Sequence, residues 1–108
     1  MIVVNTESVP GREIREALGL VRGSTIRAKH LGKDIMAGLR TLVGGEIKEY
    51  AQMIMESRNE SMKRMVAQAE KLEADAVVNV RFVTSQVMSG AAELLAYGTA
   101  VKLAPPTE

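Results

Sequence analysis

Cysteine and tryptophan are absent from the 108 residues, and histidine occurs once. Without cysteine there is no structural disulfide, no thiolate metal ligand and no cysteine nucleophile. Two Tyr and one Phe make up the aromatic content, which leaves little for stacking-based capture of single-stranded nucleic acid. An excess of either charge is missing too: fourteen Lys and Arg against thirteen Asp and Glu give a net +1. That balance offers no general attraction to phosphate backbones or membrane surfaces. The apolar opening Met1–Val4 is far too short for a signal peptide or a membrane span. The expected partners therefore exclude nucleic acid and membranes, and the expected location is the cytoplasm.

What is present fits one domain, residues 1–104, with a short tail at 105–108. The first 44 residues hold seven Lys/Arg against four Asp/Glu, a net +3, and the remainder seven against nine, a net −2. A weakly basic N-terminal half either helps collect an anionic ligand or is ordinary surface variation.

After Gly44-Gly45 the spacing predicts one long helix, about Glu46 to Glu73. Ile47, Tyr50, Ala51, Ile54, Ser61, Met62, Met65, Ala69 and Leu72 fall within one arc of roughly 120° at 100° per residue. Glu49, Gln52, Glu56, Asn59, Glu60, Lys63 and Glu70 make the wet face. Such a helix is about 42 Å long at 1.5 Å per residue, whereas a compact domain of this size has a radius of gyration of about 13 Å. The helix is expected to overhang its own domain, which favours an oligomer.

Ahead of it, Ile2–Val4 reads as a strand. Pro10 suits a helix start, Ile14, Ala17 and Leu18 make an apolar face, and Gly19 is placed to end that helix in a left-handed conformation. Leu20–Lys29 reads as a second strand, with Gly23 marking a bulge or a close backbone approach. Leu31, Ile35, Leu39 and Leu42 suggest a short helix between His30 and Gly45. Behind the long helix, Ala76–Ser85 and Ala92–Leu103 form strands joined by Met88-Ser89-Gly90. In the first, Val78, Val80 and Phe82 are expected to share a face. In the second, Ala92, Ala96, Gly98 and Ala100 present a face of small side chains that lets a neighbour approach closely. The fold class is α+β, a two-layer β-α-β-α-β-β sandwich.

Candidate sites are few. His30 and Asp34 have i,i+4 spacing if helical, but tight zinc sites need three or four protein ligands. His30 is thus read as a surface residue, with a metal role only as a minor alternative. Seven Met residues suggest soft ligation, yet Met62 and Met65 fall on the predicted core stripe, where adaptable filling accounts for them. No Ser-His-Asp or paired-carboxylate arrangement can be assembled. Arg58 stands out, because it projects from the middle of the apolar arc, where a cation needs a partner. Its readings are a structural ion pair or an arginine that receives a carboxylate or phosphate. Glu93, a lone carboxylate amid Ala91, Ala92, Leu94 and Leu95, is the expected partner, within a subunit or across a junction.

Several runs are similar to the YbjQ-like family: Val9-Pro10-Gly11, Gly19–Thr25, Leu42–Glu46, Ala74–Phe82 and Ala96–Val101. The resemblance implies a β/α subunit assembled as a ring-shaped homopentamer, and the family carries a heavy-metal-binding label with no established function. The chain departs from the family pattern at Glu73 and Asn79, where Gly is usual. Asn79 and Arg22 join Arg58 and Glu93 as candidate ligand-binding residues. No cofactor is expected. The leading expectation is a non-catalytic small-ligand-binding or assembly module. Its alternatives are an enzyme with its site at a subunit junction and a weak metal-binding protein.

Overall fold

Strand alternation, broken at four points, builds the sheet. The computed structural model describes residues 1–28, 45–88 and 91–106. In chain order these give β1 (Ile2–Val3), β2 (Ile14–Ala28), α1 (Gly45–Lys71), β3 (Ala76–Met88) and β4 (Ala91–Leu103). The sheet order is β1-β3-β4-β2, with β1 parallel to β3 and both other pairs antiparallel. One helix on a four-stranded mixed sheet makes an α+β fold.

The helix expected at Pro10–Leu18 is not there; residues from Ile14 onward belong to β2. Register shifts between Ile14 and Glu16 and between Ala17 and Gly19 insert extra residues into the strand. Ile14 joins the Val78 cluster while Leu18 and Val21 pack towards α1, so the i, i+4, i+7 spacing that imitates a helix runs across both faces of a bulged strand. Gly19 does use a conformation that favours glycine, φ +126, but within this irregularity and not at a helix end. The short helix expected between His30 and Gly45, and the turn residues Ser89 and Gly90, lie outside the described residues.

The alternation expected of β3 also breaks. Asn79, at φ 55, and Val80 together oppose Gly98, between the pairs Val78↔Thr99 and Arg81↔Tyr97. This bulge turns Val77 and Val80 to the helix side and leaves Val78 in a cluster with Val9, Ala76, Val101 and Leu103. A Cβ at Gly98 would stand 2.7 Å from Val77 Cγ1 and 2.9 Å from the Val78 carbonyl oxygen. A side chain at Gly98 is therefore incompatible with the bulge.

α1 packs on the other face. From Ala51 onward its buried residues are Ser57, Ser61, Met65 and Ala69, a strict i,i+4 row. Ser61 Oγ donates to the Leu94 carbonyl at 2.9 Å and lies 2.9 Å from Thr25 Oγ1, which also reaches the Ser57 carbonyl at 3.2 Å. These small polar residues let the helix backbone sit directly on Gly23. The 17.7 Å radius of gyration exceeds the roughly 13 Å of a compact domain of this size. The subunit is elongated, 58 Å along its longest axis, and strands of 13 and 15 residues contribute to that length beside the helix.

α1 ends in a Schellman motif. The Ala74 N–H bonds the Ala69 carbonyl and the Glu73 N–H bonds the Glu70 carbonyl, with Glu73 left-handed at φ 59. A non-glycine residue pays about 1–2 kcal/mol for that conformation. Glu73→Gly returns most of this, less the extra entropy it gives the unfolded chain. We expect a gain of about 1 kcal/mol, read as a rise of about 4–8 °C in melting temperature.

Candidate ligand-binding and assembly site

The structure separates the residues singled out in the sequence. Arg58 is exposed, not held in the apolar arc. The buried row of α1 advances by four residues per step, so it drifts about 40° around the helix at each step. At the level of Ser57 the sheet-facing direction is therefore about 100° away from Arg58. Within one subunit Arg58 is not joined to Glu93, whose Oε2 accepts instead from Ser24 Oγ at 2.8 Å. Among the described residues the one ion pair is Arg64–Glu60 at 3.4 Å, partly exposed and worth about 0–1 kcal/mol. The Arg22 side chain is exposed, and its backbone N–H bonds Gln68 Oε1 at 2.9 Å. Asn79 serves the β3 bulge and donates its N–H to the Thr6 carbonyl at 2.9 Å. His30 lies outside the described residues.

Sheet edges explain more than these side chains do. The outer edge of β2 is blunted by α1, through Gln68 on the Arg22 amide and Arg64 Nη1 on the Ser24 carbonyl. β3 is treated differently. The N-terminal segment covers its edge as far as Val80, whose N–H bonds the Val4 carbonyl at 3.1 Å. From Arg81 to Met88 every residue is exposed, and no described residue pairs with that edge. Phe82, Val83, Val87 and Met88 are 40–65% exposed. On the sheet face away from α1, Leu20 and Ile26 of β2 are 67% and 63% exposed. Among the described residues, then, the edge of β3 from Arg81 to Met88 is bare, and Leu20 and Ile26 add exposed apolar side chains on the face away from α1.

Where the N-terminal segment leaves β3, an open notch of about 750 Å³ forms against α1. Val3, Val4, Met62, Val80 and Phe82 give it apolar walls, and among the described residues Arg81 is its one charged lining residue. Arg81 Nη1 donates to the carbonyls of Asn5 at 2.9 Å and Val80 at 3.1 Å. Arg81 is not among the residues that the sequence singles out. Its notch depends on a contact across 76 residues, for which local spacing carries no signal.

A family model described as "Putative heavy-metal-binding", that of the YbjQ family, matches residues 1–104. The chain belongs to this family. It is 63% identical over 103 residues to a UPF0145 protein of Methanosarcina acetivorans, covering 95% of this chain and 97% of that one. With a UPF0145 protein of Thermosipho africanus it shares 58% over 108 residues, the whole of both. Its fold matches the crystal structure of a protein of unknown function from the DUF74 family of Pediococcus pentosaceus, at a TM-score of 0.65 and 17% identity. That match covers 96% of this chain and 98% of the other.

The YbjQ family description invites a test of the donor set. Among the described residues no three His, Cys, Asp or Glu side chains converge, and the sequence has no Cys. Borderline cations such as zinc need such a set, with imidazole or thiolate among its donors. The described part of one subunit does not fit them. Among the described residues, too, no helix is long and apolar enough to cross a membrane.

Proposed function

We propose that this YbjQ-family protein is a non-catalytic small-ligand-binding or assembly module that acts as a homopentamer. The observation that carries the reading is the bare edge of β3, the eight consecutive exposed residues Arg81–Met88. A strand with an open edge and apolar side chains on both faces is an aggregation hazard unless a partner covers it. A second copy is the partner always at hand, and head-to-tail contacts that close make a ring. The blunted β2 edge keeps such pairing from running on as an open fibre. The family resemblance supplies the number five. In such a ring the exposed Arg58 is free to meet acceptors of a neighbouring subunit. Light scattering after size exclusion at micromolar protein should give about five times the 11.7 kDa subunit mass. A monomer at that concentration overturns the proposal.

A further inference from the structure

We infer that the notch beside Arg81 binds a small monocarboxylate with a branched or aromatic body, an inference that rests on the ligand-binding half of the reading above. Charge decides the sign of the ligand. Among the described residues Arg81 is the only charged one lining the notch, and no acid lines it. A guanidinium keeps its charge at any physiological pH. Geometry decides the head group. The two carbonyl contacts of Nη1 fix the guanidinium plane, while Nε and Nη2 bond nothing among the described residues. Those two nitrogens are the edge that takes a carboxylate in two parallel hydrogen bonds.

The walls decide the body. Val4, Met62, Val80 and Phe82 offer a hydrocarbon surface on the α1 side of the sheet, away from the edge itself, with Phe82 40% exposed in the lone subunit. One cation matches one negative charge, whereas a polyphosphate would bring charge that no other described lining residue neutralises. A notch open to solvent on one side gives modest affinity, not the tightness of an enclosed pocket.

Phenylacetate and 4-methylpentanoate are the probes, titrated into the full chain and followed by NMR shifts of the Val80–Phe82 amides. Acetate and phenylacetamide, which lack the body and the charge respectively, are the controls. Both probes should bind with a dissociation constant at or below about 1 mM, and both controls at least about tenfold more weakly. Arg81→Lys keeps the charge and a donor for the two carbonyls but lacks the fork. It should weaken probe binding by about tenfold or more while melting temperature and subunit mass stay unchanged. The inference is overturned if neither probe binds, if the controls bind as well, or if Arg81→Lys binds equally. A change of subunit mass in Arg81→Lys also overturns it, because the guanidinium then belongs to a neighbouring subunit. Arg81-dependent binding to a monomer would uphold the site and reject the pentamer, so the two claims fail separately.

Discussion

Gly23→Ala should unfold or severely destabilise this protein, although it adds one methyl group. The added Cβ would fall well inside van der Waals contact of the Ser61 carbonyl oxygen and the Met65 amide nitrogen, and 2.8 Å from Arg64 Cβ. Two of those three atoms are helix backbone and cannot rotate away. Relief requires lifting α1 from β2, which stretches the hydroxyl contacts among Thr25, Ser57 and Ser61 and opens the space around Met65 and Ala69. Overpacking a core costs about 1–3 kcal/mol where side chains give way, and occasionally more. Here backbone must move, so a loss of about 3 kcal/mol or more is expected. Urea denaturation followed by circular dichroism measures it. A variant within about 0.5 kcal/mol of the parent, the usual range of surface changes, would show that α1 does not rest on Gly23.

The second large effect is on assembly, not folding. Val83 and Val87 are 42% and 51% exposed in the isolated subunit. Replacing both with Lys should cost a lone subunit less than about 0.5 kcal/mol each. In an assembly that covers β3, the same change buries two unpaired cations on each copy, at several kcal/mol apiece. Val83→Lys with Val87→Lys is therefore expected to reduce the light-scattering mass to that of one subunit and leave the far-UV spectrum unchanged. Retention of the parental mass would place the junction elsewhere on the surface.

Much of the fold is legible in the sequence where a pattern is long or unbroken. The spacing from Ile47 to Leu72 announces α1, and the Ala-rich alternation of β4 identifies its helix-facing side, on which Ala96 and Ala100 are buried. Legibility ends at the bulges. Near Glu16 and Ala17 a helix-like spacing runs across both faces of the bulged β2, and Asn79 reverses the alternation of β3. Gly23 is readable as a close approach, but its partner is not. Glu73 and Asn79, where the family resemblance led to an expectation of Gly, are the two non-glycine residues with positive φ among the described residues, a conformation that favours glycine.

The candidate site was less legible. Arg58 is misplaced by treating the apolar stripe of α1 as straight, when it drifts to follow a twisted sheet. Arg81 gains its setting from a segment far away in sequence. The exposure of Arg81–Met88 is a property of sheet order, since β1 is two residues long and stops short of covering them.

Residue-resolved amide hydrogen exchange along β3 tests the covered edge most directly. The amide of Val80 faces the outer edge, where it bonds Val4, so by strand alternation those of Phe82 and Thr84 face outward too. A single subunit offers them no partner among the described residues. If neighbouring copies cover this edge, both amides should exchange about as slowly as the core amide of Val77, and should become fast in the double-lysine variant. Fast exchange of Phe82 and Thr84 in the parent protein at micromolar concentration, beside a protected Val77, would contradict the account.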